Sequence, residues 1–495
     1  MLLANLDNGY LWQDEAETAL LARNTLAFGY PTAFDGRSLI EEPLGYGPHQ
    51  AWVYAPWLPF YLLAGVFLLV GESTWSARLP FALMGWFSIV LTWVLARRLT
   101  DERRIHRLSV ALLVCSVPFL LHMRQCRYYA MTTLVLLGVC VAYLAFCARP
   151  SFRRSAGLGA LLLCLFHTNF GAYLPAIAAL GMHQAVGGER TTRVRVALVA
   201  AVVTGFTIPW ALFFYRSGFV GAWSLERALD HLEYYVRIAN KHLVPLAAMA
   251  LLSLWTRSVR HFLGNLRFEK CLTLFPAMRA AARRLQRSVV VLLVLAQAAF
   301  LVIPNQRHMR YLIPTLPLLL IGEAWWLMWW QRRHPRIGWA VTLLVLFTTV
   351  LQSVHPRVPL LPYLNELTHR YTGPMEGVVD YLRRHAAPGQ TAKIPYDDRT
   401  LMFYTGLAVE RPSQFLTETS PDWVIIRRDW IPPSFFESAH FRRIEATYDR
   451  IELEAPDIQW QNREDPGSHH FRTVQDAPPV VLYRKRDDRF ARSAS

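Results

Sequence analysis

The sequence contains few cysteines and few acidic residues, and these shortages limit what the protein can be. Six cysteines occur among 495 residues, none forms a CxxC pair, and none lies after Cys271. We therefore expect neither a disulfide framework nor a cysteine-ligated metal, and we expect these residues to be buried as small apolar side chains. The 36 acidic residues are outnumbered by 52 lysines and arginines.

The excess of positive charge is confined to the first part of the chain. Residues 1–354 carry 33 basic and 16 acidic residues, whereas residues 355–495 carry 19 and 20. A basic composition alone would suggest a nucleic-acid partner. Here the arginines are grouped in short segments between apolar runs, which is typical of membrane orientation. We therefore predict no nucleic-acid partner.

Long apolar runs recur through residues 1–354. The chain is 53% hydrophobic, has 17 tryptophans and has a mean hydropathy of +0.20. The clearest runs are residues 79–95, 129–146, 194–214, 289–303, 311–330 and 337–354. Shorter or interrupted runs are residues 108–121, 155–166, 172–185 and 243–255. A run of about 18 or more apolar residues is long enough to span a bilayer as a helix. The sequence therefore predicts an α-helical, multi-pass membrane protein.

Arginine clusters fall in every second connection between the apolar runs. They lie within residues 97–107, 149–154, 190–195, 257–287 and 332–336. Since basic residues mark cytoplasmic connections, the alternate ones must face outward. The outward connections are residues 122–128, 167–170, 216–242 and 304–310, and all residues after 354. This pattern predicts about ten spans between residues 77 and 354, with the first loop and the tail outside the cytoplasmic membrane.

Two segments near the start do not fit that alternation. Residues 56–70 are apolar but short, and the sequence on both sides should face outward, so we predict a helix lying in the outer leaflet. An ordinary short span there would place every arginine cluster outside. Residues 1–11 are too short to cross a membrane, so either a spanning helix precedes this sequence, which we favour, or the N-terminus itself is translocated.

The chain thus divides into three predicted parts: a first extracytoplasmic loop (1–55), a transmembrane module (56–354) and a soluble α/β domain (355–495). In the last part, residues 377–385 have helical spacing. Pro388 and Gly389 mark a turn, and residues 423–426 read as a buried strand. About 140 residues are enough to form a core.

Two groups of basic and aromatic residues lie in outward connections, where basic residues are not expected. One group contains Arg124, Arg127 and Tyr128, and the other contains Arg307, His308, Arg310 and Tyr311. Guanidinium groups match the geometry of phosphate, so the two groups could clamp a lipid phosphate or pyrophosphate. The alternative is that these side chains only meet lipid headgroups at the interface.

An acidic pair, Asp14 and Glu15, opens a predicted amphipathic helix on the same side of the membrane. Group transfer from a lipid phosphate requires a base for the acceptor proton and positive charge on the departing phosphate. A carboxylate opposite the arginines would supply the base. Adjacent helical residues point in different directions, so the two acids should have different tasks. The alternative is the ordinary preference of acids for helix N-termini.

Four motifs occur in one order along the chain and together carry a family resemblance. They are WQDEAETALLARNTLAFGYPTAFDG, PWLPFYLLAGVFLLVGESTWSARLPFALMGW, RQCRYYAM and RHMRYLIPTLP. This order resembles the bacterial membrane glycosyltransferases of the GT-C fold, in particular the group related to protein O-mannosyltransferases and to the aminoarabinose transferases of lipid A. The resemblance covers residues 10 to about 354 and extends more loosely into the tail.

The resemblance implies a polyprenyl-phosphate sugar as donor and an inverting reaction without a nucleotide sugar. It implies that Asp14 is the family's catalytic acidic residue, with Glu15 as its usual companion. It also implies donor-phosphate ligands in the two basic groups, at Arg127, Tyr128, His308, Arg310 and Tyr311, with Arg124 and Arg307 as further candidates. His167 and Asn169 would line the donor cavity. Ala55 stands where some family members have a lysine, so more of the phosphate binding must rest on the arginines.

We therefore predict a glycosyltransferase that moves a sugar from a polyprenyl phosphate to a hydroxyl or phosphate acceptor of the cell envelope. It would act among membrane lipids at the outer face of the cytoplasmic membrane. No cofactor is required by the sequence, although a divalent metal is compatible with it. Asp397 and Asp398 favour a polar turn over a metal site, and Glu323 is expected to face the helix bundle. The alternative function is a transporter or flippase of lipid-linked sugars without chemistry.

Overall fold

The computed structural model describes residues 1–43, 45–214, 224–255, 288–304, 306–353, 356–370, 373–458 and 477–486. The predicted cytoplasmic cluster at 257–287 and part of the predicted outer loop at 216–242 lie outside the described residues. So does Asn305, next to the second basic group.

Helices make up most of the described chain before residue 354. In order they are α1 (Gln13–Phe28), α2 (Leu58–Val70), α3 (Thr74–Leu99), α4 (Arg103–Cys115), α5 (Val117–Arg124), α6 (Tyr129–Ala148), α7 (Phe152–Phe166), α8 (Phe170–Gly187), α9 (Arg190–Phe214), α10 (Leu225–Ile238), α11 (Leu246–Trp255), α12 (Val289–Phe300), α13 (Leu316–Arg333) and α14 (Pro335–Phe347). A 3₁₀ segment, Met309–Thr315, leads directly into α13. A π-helical turn, Ala239–Leu243, follows α10.

Four described helices are long and apolar enough to cross a membrane. They are Thr74–Leu99, Tyr129–Ala148, Arg190–Phe214 and Met309–Arg333. A fifth span is present if α4 and α5, which are bent by 64° at their break, are counted together as one. Three shorter apolar helices, α2, α12 and α14, accompany them. The helical membrane architecture is confirmed, while the predicted number of about ten spans stays a prediction.

The outward face of α9 illustrates how the sequence suits a lipid environment. Leu198, Val202, Phe206 and Leu212 are each more than half exposed on this helix. A helix in lipid satisfies its backbone internally and can present apolar side chains to the acyl chains. Exposed apolar surface of this extent would be unfavourable in water.

Helix α1 differs from the predicted amphipathic helix, because it is buried on nearly every side. Glu15, Glu17, Thr18, Leu20 and Asn24 are all buried although they point in different directions around the axis. The helix packs against α2 on one side and against the tail on another. Its polar residues therefore need partners within the protein rather than water.

Helix α2 lies where the sequence predicted an interfacial helix. It begins at Leu58, and Phe60, Leu63 and Phe67 are buried against the rest of the protein. The last turn, from Leu68 to Val70, is exposed. Its depth in the membrane stays a prediction.

The tail contains a mixed sheet flanked by helices. Its strands are β1 (Thr391–Lys393), β2 (Ala408–Val409), β3 (Trp423–Ile426), β4 (Tyr448–Pro456) and β5 (Pro479–Lys485), arranged in the order β2-β1-β3-β5-β4. The tail helices are α15 (Leu360–Thr368), α16 (Pro374–His385), α17 (Asp398–Thr405) and α18 (Ala439–Thr447). Strand β1 is parallel to β2 and β3, whereas β5 is antiparallel to β3 and β4. The predicted helix at 377–385, strand at 423–426 and turn at Gly389 are thus present.

One hydrophobic core joins the tail to the first part of the chain. The same cluster of buried side chains contains Leu20 of α1, Phe60 of α2, Val378 of α16, Trp423 of β3 and Leu482 of β5. The tail is therefore packed onto the loop and helices that carry the acidic pair. The boundary that we predict at residue 355 stays a prediction.

Helices α13 and α14 approach each other closely at Gly338, and this contact can be tested. A Cβ at Gly338 would lie 2.4 Å from the backbone nitrogen of Gln331 and 2.7 Å from the carbonyl carbon of Trp330. Backbone atoms cannot move aside as a side chain can, so Gly338→Ala should lower the free energy of unfolding by about 1–3 kcal/mol. Thermal unfolding in detergent measures this change.

Gly322→Ala is the matched control in the preceding helix, because a Cβ there meets nothing within 4 Å. It should be neutral or slightly stabilising, since alanine favours helix over glycine. Equal transition temperatures for the two variants would contradict the tight α13–α14 contact.

Candidate functional site

The first turn of α1 is fixed by a buried ion pair. Glu15 is fully buried, and its two carboxylate oxygens accept hydrogen bonds from Nε and Nη2 of Arg78 at 2.9 and 2.7 Å. The backbone N–H of Cys126 also donates to Glu15, at 2.8 Å. Arg78 donates further to the backbone carbonyls of the preceding coil, those of Leu6, Asn8, Gly9 and Tyr10. Glu15 is thus held in place by both α3 and the α5–α6 turn.

The neighbouring carboxylate, Asp14, lies between two guanidinium groups. Nη1 of Arg310 donates to Oδ2 of Asp14 at 2.6 Å, and Nη2 of Arg127 is 3.6 Å from the same oxygen. Arg127 also donates to the backbone carbonyl of Asp14 at 2.8 Å. The Asp14 side chain keeps 19% of its surface exposed, so it is accessible in a way that Glu15 is not. The structure therefore brings Asp14, Arg127 and Arg310 together, as predicted.

The same arrangement continues along the helix into the tail. One turn further along α1, Glu17 accepts from Nη1 of Arg127 at 3.0 Å and pairs on its other oxygen with Arg399 of α17. Nη2 of Arg399 also donates to Oε1 of Glu42 in the first loop, at 3.2 Å. The result is an alternating chain of charges that runs Arg310, Asp14, Arg127, Glu17, Arg399, Glu42. Its last cation comes from the tail rather than from the membrane helices.

Burial and these neighbouring charges together set the protonation states of Asp14 and Glu42. Burial alone would raise the pKa of Asp14, but the positive charges of Arg127, Arg310 and Arg399 outweigh burial and lower it to about 2. Burial raises the pKa of Glu42 to about 7, and the negative charge of Glu17 adds to the effect. Asp14 is therefore ionised throughout the physiological pH range, whereas Glu42 titrates near neutrality.

A pocket of about 420 Å³ adjoins Arg310. Its lining includes four residues that the sequence singled out, Tyr128, Asn169, Arg310 and Tyr311, together with the apolar side chains of Phe300 and Pro314. The Arg127 guanidinium also lies over the ring of Tyr128, 5.3 Å from its centroid. Polar groups from α6, α8 and the 3₁₀ segment before α13 thus converge beside the Asp14–Arg310 pair.

Two predicted arginines have other contacts. Arg124 is buried and donates to the carbonyls of Ala4 and Asn5 at 2.8 and 3.0 Å. It also donates to the hydroxyl of Tyr363, at 3.2 Å. Arg307 pairs with Asp230 of α10. Arg124 thus holds the N-terminal coil and Arg307 forms an exposed ion pair, and the role of both in phosphate binding stays a prediction.

The two predicted histidines lie at the edge of the site. The ring of His308 packs edge-on against Tyr311, with 5.5 Å between centroids. The ring of His167 packs instead against Trp210, and its backbone carbonyl accepts from Leu58 at the start of α2. His167 therefore belongs to an aromatic cluster beside α2, while its predicted partner Asn169 lines the pocket.

Four residues of the charge network were not predicted from the sequence as site residues: Arg78, Glu17, Arg399 and Glu42. A signal existed for Arg78, since an isolated arginine in an otherwise apolar helix requires a buried partner. Glu17 and Arg399 are separated by 382 residues, and neither carries a motif that would link them. Only the packing of the tail reveals the pair.

The tail aspartates form a structural turn. Asp397 has a positive φ of 68° and pairs with the buried Arg427, while Asp398 begins α17 and accepts from Nε2 of Gln13 at 2.5 Å. Within the described ranges, no group of three or more histidine, cysteine, aspartate or glutamate side chains could hold a metal ion. The polar turn that the sequence favoured at this position is confirmed.

The contacts of Glu15 generate a prediction that separates it from Asp14. Glu15→Gln should lower the free energy of unfolding by about 3 kcal/mol, because Arg78 would remain buried without its counter-charge. The apparent transition temperature in detergent measures the loss. Glu437→Gln, at an exposed tail position, is the control and should be neutral. A Glu15→Gln protein of unchanged stability that nevertheless loses activity would place Glu15 in the chemistry.

Comparison with known proteins bears on the fold. Residues 55–213 match the family described as dolichyl-phosphate-mannose-protein mannosyltransferase. Among curated proteins, no sequence match is found. The structure is similar to that of ArnT from Cupriavidus metallidurans bound to undecaprenyl phosphate, with 14% identity and a TM-score of 0.59 over 97% of this chain and 95% of that one.

The apo form of the same ArnT is similar at 14% identity, with a TM-score of 0.56 over 97% of this chain and 94% of that one. The oligosaccharyltransferase of Archaeoglobus fulgidus is a more distant likeness, with 15% identity and a TM-score of 0.48 over 86% and 66% of the two chains. Because the likeness to ArnT spans nearly all of both chains, it extends to the tail as well as the membrane helices. The chain therefore has the fold of the GT-C membrane glycosyltransferases, as its four sequence motifs predicted.

Proposed function

We propose that this protein is an inverting glycosyltransferase that moves a sugar from a polyprenyl-phosphate donor to an acceptor of the cell envelope. The acceptor group is a hydroxyl or a phosphate, and the reaction takes place at the outer face of the cytoplasmic membrane. The observation that carries the proposal is the position of Asp14, between Arg310 and Arg127 and beside the pocket that Tyr128, Asn169 and Tyr311 line. The bound undecaprenyl phosphate of ArnT supports a polyprenyl-linked donor.

In this proposal the two arginines bind the donor phosphate and stabilise it as it departs. The bond between the anomeric carbon and the phosphate oxygen breaks, and the acceptor oxygen bonds to that carbon from the opposite face. Polyprenyl phosphate leaves with the electron pair of the broken bond. Guanidinium groups are suited to this task because they are always charged and present paired N–H donors.

Asp14 is the proposed general base for a hydroxyl acceptor. With a pKa of about 2 it holds a proton weakly while both arginines face it. A donor phosphate would take up part of the positive charge of Arg310 and Arg127, which would raise the pKa of Asp14 and make it a stronger base. Binding of the donor phosphate would therefore make Asp14 a stronger base.

The central test is Asp14→Asn, assayed with purified protein, a radiolabelled polyprenyl-phosphate sugar and cell-envelope acceptors. Transfer should fall by about 10²–10⁴-fold, the usual contribution of a general base, while donor binding persists. Asp449→Asn, an exposed tail carboxylate, is the control and should match the wild type. Transfer by Asp14→Asn at the wild-type rate would contradict the assignment. Failure of the wild type to release polyprenyl phosphate would favour the transporter alternative.

The pH dependence gives a second, independent readout of the same residue. The kcat/KM of the wild type reports the free enzyme, in which the pKa of Asp14 is lowered, so its acid limb should lie well below pH 4. The kcat reports the donor complex and should have an acid limb at higher pH, because the phosphate weakens the field of the arginines. If the acid limbs of kcat and kcat/KM coincide, the donor does not raise the pKa of Asp14, and that part of the proposal is wrong.

Arg310→Ala tests the phosphate clamp. Loss of a charge-assisted hydrogen bond should weaken donor binding by about 10–100-fold and slow transfer as well. Binding of polyprenyl phosphate to the detergent-solubilised protein measures the first effect. Arg307→Ala, in the same sequence motif but paired with Asp230, should have a smaller effect. Equal losses in the two variants would mean that the motif acts as a whole and that the Asp14–Arg310 contact has no special role.

A further inference from the structure

Helix α12 carries one polar side chain, that of Gln297, among its twelve residues. Gln297 lies on the same face of the helix as Val289 and Leu293, because residues four apart on a helix are neighbours. All three are buried, so this face of α12 points into the protein. A polar side chain that an apolar helix directs toward the bundle interior is a candidate for a functional site.

The side chain of Gln297 lines the pocket of about 420 Å³ that adjoins Arg310. Only 5% of the residue is exposed, and among the residues that the structure describes, none forms a hydrogen bond with its side-chain amide. A buried amide without a partner is unfavourable. The position therefore favours a ligand that forms hydrogen bonds with the amide.

The charge of the pocket limits what this ligand can be. Arg310 is the single charged residue among the described residues that line it. Asp14 pairs with Arg310 from outside this lining, and its negative charge is already shared by Arg127, Arg310 and Arg399. A cationic group in the pocket would therefore face Arg310 without a counter-charge of its own. A second anionic group would be repelled by the donor phosphate, so the pocket suits an uncharged group.

Hydrogen-bonding capacity selects one part of the proposed donor. The Gln297 amide has N–H donors and a carbonyl acceptor. The prenyl chain offers neither, and an ionised phosphate only accepts, whereas a sugar hydroxyl both donates and accepts. The rings of Tyr128, Phe300 and Tyr311 add apolar surface to the lining, against which the carbon-bound hydrogens of a sugar can pack.

We propose that Gln297 is a specificity-determining residue that binds a hydroxyl group of the donor sugar, and that this sugar is uncharged. The inference rests on the proposed function and names the class of sugar that the same site accepts. An amino sugar would bring a second cation into a pocket whose lining is already positive. The amide oxygen of Gln297 can accept a hydrogen bond from an ammonium group but cannot neutralise its charge.

The first test compares two donors that differ in one group. Polyprenyl-phosphate arabinose and polyprenyl-phosphate 4-amino-4-deoxyarabinose, with the same prenyl chain, are titrated by calorimetry into the full-length protein in detergent at neutral pH. The arabinose donor should bind at least about 10-fold more tightly, because the ammonium of the other donor would be desolvated without a counter-charge. Equal affinities, or tighter binding of the amino sugar donor, would overturn the proposal.

The second test connects the preference to the amide. Gln297→Met keeps the length of the side chain and removes its hydrogen bonds. The ratio of the affinity for polyprenyl-phosphate arabinose to that for polyprenyl phosphate should fall by about 3–10-fold, as expected for one neutral hydrogen bond. Because the readout is a ratio within one protein, a change in the stability of the variant does not affect it. An unchanged ratio would overturn the assignment.

Gln331→Met is the matched control. Gln331 is a buried glutamine of α13 whose amide already donates to Oγ1 of Thr342 at 2.8 Å, and it does not line the pocket. Its replacement should leave the wild-type ratio of affinities unchanged. A ratio that falls equally in both variants would mean that the loss of any buried amide has this effect, and it would overturn the role of Gln297.

The binding measurements separate this inference from the proposed function, because they contain no acceptor and do not depend on sugar transfer. A protein that binds polyprenyl phosphate but does not distinguish the sugars would refute this inference alone. A protein that distinguishes them but transfers no sugar would refute the role of Asp14 alone. Failure to bind polyprenyl phosphate would refute both.

Discussion

The ion pair between Glu15 and Arg78 is the contact on which the site depends. Arg78 uses its guanidinium to hold both the first turn of α1 and the coil before it, and Glu15 also binds the backbone of the α5–α6 turn at Cys126. Arg127 and Arg124 add further contacts between the α5–α6 region and the start of the chain. Because these elements are joined next to Asp14, the direction of the Asp14 side chain toward Arg127 and Arg310 is fixed by its neighbour in sequence.

Adjacent acidic residues thus have different surroundings. Glu15 is enclosed and fully paired, while Asp14 is partly exposed and faces two cations beside a pocket. The next acidic residue, Glu17, connects Arg127 of the membrane module with Arg399 of the tail. The tail is therefore part of the electrostatic environment of the site. A change in how it packs would alter the charge around Asp14 without touching the membrane helices.

The parts of this arrangement that could be predicted from the sequence are those with a local signature. Long apolar runs and alternating arginine clusters indicated the helices, and basic residues in outward loops indicated Arg127 and Arg310. The same reasoning included Arg124 and Arg307, because spacing along a chain does not show which of two nearby arginines contacts Asp14. Glu17 and Arg399 could not be paired, since their contact depends on how the tail packs.

The pairing of Glu17 with Arg399 has a consequence for synthesis of the protein. A ribosome must polymerise about four hundred residues before the carboxylates near position 14 meet their last counter-charge, that of Arg399. Until then Glu17 and Glu42 lack that cation, and the field around Asp14 differs from that of the finished molecule. A nascent chain, or one truncated before the tail, would hold Asp14, Arg127 and Arg310 without their final electrostatic setting.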